Sequence, residues 1–100
     1  MKKEETFITV NHLDDYEGPE FFRVGETLTL KKDRNNDFDD EAIVVYKGQD
    51  HRCGYVANSV STVARGTCSA GRIYDQIEDE QKCLVRFIFA EEGVLIAQIL

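Results

Sequence analysis

The sequence predicts a mainly β (α+β) domain, a small antiparallel barrel of OB-like or SH3-like character with one or two short helices. Three observations lead there. The 100 residues are 42% hydrophobic and 10% aromatic, enough for one modest core in one domain, 1–100. About seven short β-branched or alternating runs follow one another, separated by Gly, Asn and Asp turns. No helical pattern is long enough for a crossover, which excludes a parallel doubly wound sheet.

The first strand is Glu5 to Val10, β-branched and aromatic. Asn11 to Pro19 connects, with Gly18-Pro19 as punctuation, and Phe21-Phe22 returns toward the core. Val24-Gly25-Glu26 turns the chain into Thr27 to Lys31, where Leu28 and Leu30 point inward by strict alternation. Lys31 to Glu41 is a polar loop crowded with carboxylates and amides, side chains that compete with regular backbone structure. Ala42 to Tyr46 is a strand walled in on both faces. It forms a hairpin with Arg52 to Val56 across a turn at Lys47 to Asp50, and Gly54 marks a bulge or a close backbone approach. Asn58 or Ser59 caps a short helix, with Val60, Val63 and Ala64 at helical spacing and Gly66 just past its end. Arg72 to Ile77 reads as a strand, Glu78 to Gln81 as a solvated turn, and Cys83–Phe89 with Val94–Leu100 as a hairpin whose turn uses Gly93.

Twelve Lys and Arg stand against 19 Asp and Glu, a formal net charge of −7. Such a chain repels nucleic acid at long range, so any site for it must gather cations on one face. No apolar window approaches the roughly 18 residues of a membrane span. Met1 to Glu5 lacks the apolar core of a signal peptide, so a cytoplasmic protein without a membrane partner is expected. Cys53, Cys68 and Cys83 lack a CxxC, which argues against a disulfide framework or a structural zinc; they read as small buried hydrophobes. Asp33, Asn35, Asp37 and Asp39 alternate as a calcium loop begins, but its sixth and twelfth positions are Phe38 and Val44 rather than Gly and Glu. His12 and His51 have no third ligand nearby in sequence. With no nucleophile elbow, P-loop or paired-carboxylate helix, neither an enzyme nor a cofactor is expected.

Phe38 stands alone among acids, and two readings remain open: a plug holding the loop to the core, or a platform waiting for a flat ligand. Tyr16 and Tyr55 can pack their rings and keep wet hydroxyls. Lys31, Lys32, Arg34, Lys47 and Arg52 lie in or beside the central hairpin, as a basic patch or as partners of the neighbouring acids.

The chain resembles the HIRAN domain family, as a free-standing bacterial-type member. The resemblance is carried by Tyr16-Glu17-Gly18, Gly25, Leu28-Thr29-Leu30, the run from Asn36 through Phe38-Asp39 to Ala42-Ile43-Val44-Val45, and Gly54-Tyr55-Val56. It implies a small barrel that binds nucleic acid, by analogy with members that grip the free 3′ end of single-stranded DNA, and a part in DNA repair or replication-related processes. On that analogy Phe38 and Tyr55 stack on bases, at roughly 1–3 kcal/mol per base. Asp39 accepts from a 3′ hydroxyl, Asn36 meets a base edge or shapes the loop, and Tyr16 and Asn58 face the same groove. Lys32, Arg34 or Arg52 meets phosphate. Asp14 and Asp15 stand where DNA-gripping relatives carry an Arg and an aromatic, which implies weaker affinity. The competing expectation is a protein-interaction or assembly module, using an exposed edge at Val94 to Leu100 for a homodimer or a partner strand.

Overall fold

In the computed structural model, which describes residues 6–100, six antiparallel strands close into a barrel. They are β1 (Phe7–Asn11), β2 (Thr27–Lys32), β3 (Ile43–Lys47), β4 (His51–Val56), β5 (Glu80–Phe89) and β6 (Val94–Ile99), with one helix, α1 (Ala70–Ile73). Glu5, expected to open the first strand, lies outside the described residues. The order round the barrel is β1-β4-β3-β2-β5-β6, and β6 returns to β1 through the pairs Phe7↔Gln98 to Val10↔Leu95.

Closure corrects one expectation. Val94 to Leu100 is no edge, because β6 is hydrogen-bonded to β5 on one side and β1 on the other. A closed sheet leaves no row of free N–H and C=O groups for a partner strand to join.

The interior is filled by alternating residues from every strand. Ile8 and Val10, Leu28 and Leu30, Ile43 and Val45, Cys53, Cys83 and Val85, and Leu95, Ala97 and Ile99 are buried. Val44 faces the other way and is buried too, so β3 is walled in on both sides, as its unbroken apolar run predicts. Leu13, Phe22, Ala70, Ile73 and Ile77 join the same core.

Gly54 explains the β3–β4 irregularity. Val45 faces Gly54 while Tyr46 faces Arg52, so Cys53 is the extra residue of a bulge. A Cβ on Gly54 would stand 2.9 Å from both the Asn11 carbonyl oxygen and Val10 Cγ1, so β4 lies against β1 more closely than a side chain permits. In the last hairpin Gly93 takes φ +70 and donates its N–H to Phe89 O at 3.0 Å. A second bulge, at Arg86, shifts the register between Val85 and Phe87. It reverses the alternation of β5, so Ile88 packs against the core while Phe87 and Phe89 are turned out.

Three further elements differ from expectation. The segment from Asn58 to Gly66 is not a helix; it makes a single turn, with Thr62 N and Val63 N both donating to Ser59 O, and then lies across β1. Val60, Thr62 and Val63 are poor helix formers, and the segment's polar groups find better partners. Ala64 N donates to Thr9 Oγ1 at 3.1 Å, and the Thr9 and Thr67 hydroxyls are 2.8 Å apart. The helix comes later, where a strand was expected over Arg72 to Ile77. Ser69 caps it, its Oγ accepting from Arg72 N. Ala70, Ile73 and Ile77 are buried at spacings of three and four while Asp75 is exposed, which is helical spacing and breaks the period-two alternation of a strand. The solvated turn also ends early: Glu80 opens β5, and Gln81 is buried with its amide donating to Leu100 O at 2.8 Å.

Candidate functional site

β1 and β4 pair only through Val10↔Val56 and Asn11↔Tyr55. Beyond that point their loops diverge and leave a groove of about 480 Å³ on the barrel's rim. Its walls come from the loop between β2 and β3, from the turn after β1, and from the end of β4 with the turn that follows.

The β2–β3 loop is held by its own side chains. Asp33 N donates to Ala42 O at 2.9 Å and closes its base. Asn36 Oδ1 accepts from Phe38 N and Asp39 N, both at 2.9 Å, while its Nδ2 donates to Asp33 Oδ2 at 3.3 Å. Asp39 Oδ1 accepts from Glu41 N at 2.9 Å. These are two Asx-type turns in series. Phe38 stands between them, 99% exposed at the groove's lip. The plug reading is thereby excluded. Asn36 makes these bonds without left-handed backbone, since among the described residues His12 is the one non-glycine with positive φ.

Asn58 ties this loop to the far wall. Its Nδ2 donates to Asp39 Oδ2 at 3.0 Å and its Oδ1 accepts from Gly71 N at 2.7 Å. Asn58 therefore caps no helix of its own; it bridges the acidic loop and α1. Both Asp39 oxygens are engaged once, and each keeps a lone pair for a further donor.

Tyr55 is half-buried in the groove wall. Burial, and after it the neighbouring Tyr16, pushes its phenol above the ordinary value. Arg52 reaches the Tyr55 hydroxyl at 3.4 Å. Tyr16 is 37% exposed and stands behind Tyr55 rather than in the groove lining. Asn36, Phe38, Asp39, Tyr55 and Asn58 are thus brought together, with Tyr16 and Arg52 flanking. Lys32 and Arg34 are not in the groove. Lys32 Nζ lies 4.8 Å from the centre of the Tyr74 ring, and Arg34 pairs with Asp79. That contact lifts the Arg34 guanidinium and holds the Asp79 carboxyl below its usual range.

Sequence reasoning missed His12 and Asp15 as lining residues. His12 adopts φ 60 directly after β1; its Nδ1 lies 2.9 Å from Asp15 Oδ2 and its ring meets Tyr55 edge-on at 6.0 Å. A non-glycine residue held in the left-handed region is a common mark of a functional turn, but the sequence shows only a lone histidine. Asn11 is the other omission: its Oδ1 is buried without a partner among the described residues. Asp39, Asp40 and Glu41 each bring a carboxylate oxygen within 4.8 Å of the others. Two of the three are exposed, and among the described residues no His or Cys joins them.

A family model described as HIRAN domain matches residues 5–89. Two solved structures share the fold. One is a protein from Lactobacillus plantarum, 20% identical, with a TM-score of 0.66 over 94% of this chain and 88% of that one. The other is the HIRAN domain of human HLTF, 20% identical, with a TM-score of 0.62 over 93% of this chain and 72% of that one. No curated protein matches the sequence. Among the described residues no helix is long and apolar enough to cross a membrane.

Proposed function

The chain belongs to the HIRAN domain family, and from that premise we propose that it is a nucleic-acid-binding module whose rim groove takes the 3′ hydroxyl end of single-stranded DNA. The observation that carries this reading is Phe38, an aromatic ring left 99% in solvent by a loop that is otherwise fastened down. A protein gains nothing in stability from such a ring, whereas a base stacked on it is worth about 1–3 kcal/mol.

The remaining roles follow from position. Tyr55 offers the terminal base a second apolar wall. Asp39, held by Glu41 N and Asn58 Nδ2, presents acceptor lone pairs to a 3′ hydroxyl and repels a 3′ phosphate. Asn36 spends its amide on the loop, which makes it a shaping residue rather than a reader of base edges. Of the three expected cations, Arg52 is the one bonded to a groove residue, through the Tyr55 hydroxyl. With Asp15 also in the wall and a net charge of −7, binding is modest.

Fluorescence anisotropy with 5′-labelled oligonucleotides at low salt tests the proposal. A 3′ hydroxyl end is expected to bind more tightly than the same strand with a 3′ phosphate. Equal affinity for the two ends, or none for either at high micromolar protein, rejects it.

A further inference from the structure

A strand held by its end must send its body somewhere, and among the described residues no Lys or Arg lines the Phe38 groove. Cations stand just beyond it. Asn58 also borders a second hollow of about 390 Å³, flanked by Arg65 and Arg72 and containing Val60 and Val63. Arg65, Gly66 and Thr67 in turn border a third, of about 290 Å³, walled by Phe7, Phe87, Phe89 and Ile96. Neighbouring hollows share residues, Asn58 between the first two and Arg65, Gly66 and Thr67 between the last two, so the three follow one another over the surface as a candidate channel. It runs from Phe38 over the segment between β4 and α1 to the outer face of β5 and β6.

Charge and shape along this channel suit one occupant. In a chain with seven more acids than bases, Arg65 and Arg72 are exposed and neither guanidinium pairs with a described carboxylate. Arg34 and Lys47, by contrast, are taken up by Asp79 and Glu26. The far end carries rings: Phe87 is 55% exposed and Phe89 46%, both turned out by the bulge at Arg86. Val60, 99% exposed, adds an aliphatic face between them and the groove. Free cations followed by open aromatic faces are what a single-stranded nucleic acid meets when it is bound without sequence readout.

We propose that this channel carries the body of the strand away from the held end, with Arg72 and then Arg65 meeting successive phosphates and Phe87 and Phe89 offering stacking faces to the bases beyond. The inference rests on the reading of the Phe38 groove as the end site and extends it to a longer footprint, within the range of about 4–16 nucleotides that small barrels of this kind cover.

The test compares a trinucleotide and a dodecamer of thymidine, both with free 3′ hydroxyls, on wild type and on the Arg65→Ala/Arg72→Ala double variant. Wild type is expected to bind the dodecamer on the order of tenfold more tightly. The double variant should bind the trinucleotide as wild type does, lose most of that length advantage, and show a log–log salt slope shallower by about 1.4, at about 0.7 per lost phosphate contact. A wild type that binds both lengths alike, or a double variant that keeps both length advantage and slope, overturns the channel and leaves the end site intact. Loss of trinucleotide binding alone, with dodecamer binding still dependent on the two arginines, removes the end site and leaves the channel. Failure to bind either probe removes both. A dimer that dissociates on Phe87→Ser, in a protein without length dependence, assigns the outer rings to a second copy instead and overturns the channel.

Discussion

Phe38→Ala separates a ligand-facing ring from a structural one, because the two roles predict opposite outcomes. The ring is 99% exposed, so its removal uncovers almost no apolar area. The backbone bond from residue 38 N to Asn36 Oδ1 does not involve the side chain and persists. Stability should therefore change by less than about 0.5 kcal/mol, or under about 2–4 °C in melting temperature for a domain of this size. Affinity should change far more. One lost stacking contact of about 1–3 kcal/mol corresponds to a roughly 5- to 150-fold rise in Kd. Thermal melts and anisotropy titrations on one preparation give both numbers. A melting temperature that falls by ten degrees, or a Kd that does not move, refutes the reasoning.

Other expectations follow from the packing. Gly54→Ala drives a methyl group against the Asn11 carbonyl and Val10, neither of which is free to swing away; the cost should be about 1–3 kcal/mol in urea unfolding. Asn58→Ala strips Asp39 Oδ2 of a donor and Gly71 N of its acceptor, a loss of about 1–3 kcal/mol, and should weaken end binding by freeing the loop. Cys53 and Cys83 are fully buried while Cys68 is half-buried, so a thiol reagent at neutral pH should label Cys68 at most until denaturant is added. Burial pushes both buried thiols from 9.0 up to about 12. In the unfolded chain they ionise from about 9, while the folded chain keeps them protonated to about 12. Stability from these two groups is thus fully present below pH 9 and is lost as pH rises toward 12, by at most about 2.7 kcal/mol per pH unit. Urea midpoints that stay level between pH 9 and 11 would contradict that.

Local chemistry made some of this molecule legible from its residues. The alternation of Leu28 and Leu30, the unbroken run from Ala42 to Val45, and the glycines at 54 and 93 each state a backbone requirement within a few positions, and each is met. Phe38 could be named as a candidate because a lone aromatic among acids is visible in the sequence; the Asx turns of Asn36 and Asp39 that hold it out are equally local. What escaped was decided by distant partners. Thr9 draws the segment after Asn58 out of a helix, and Tyr74 and Asp79 draw Lys32 and Arg34 away from the groove. The bulge at Arg86 turns Phe87 outward against the alternation that Cys83 and Val85 set up. Closure of β6 onto β1 removes an edge that no single strand reveals.

The most direct measurement of where the ligand sits is an amide-shift titration of labelled protein with a short thymidine strand ending in a 3′ hydroxyl. The largest shifts are expected at 36–39 and 55–59, on the two walls of the rim groove, spreading toward 65 and 72 as the strand lengthens. Shifts confined to the β3–β4 turn at 47–51, or scattered evenly over the barrel, would contradict that placement.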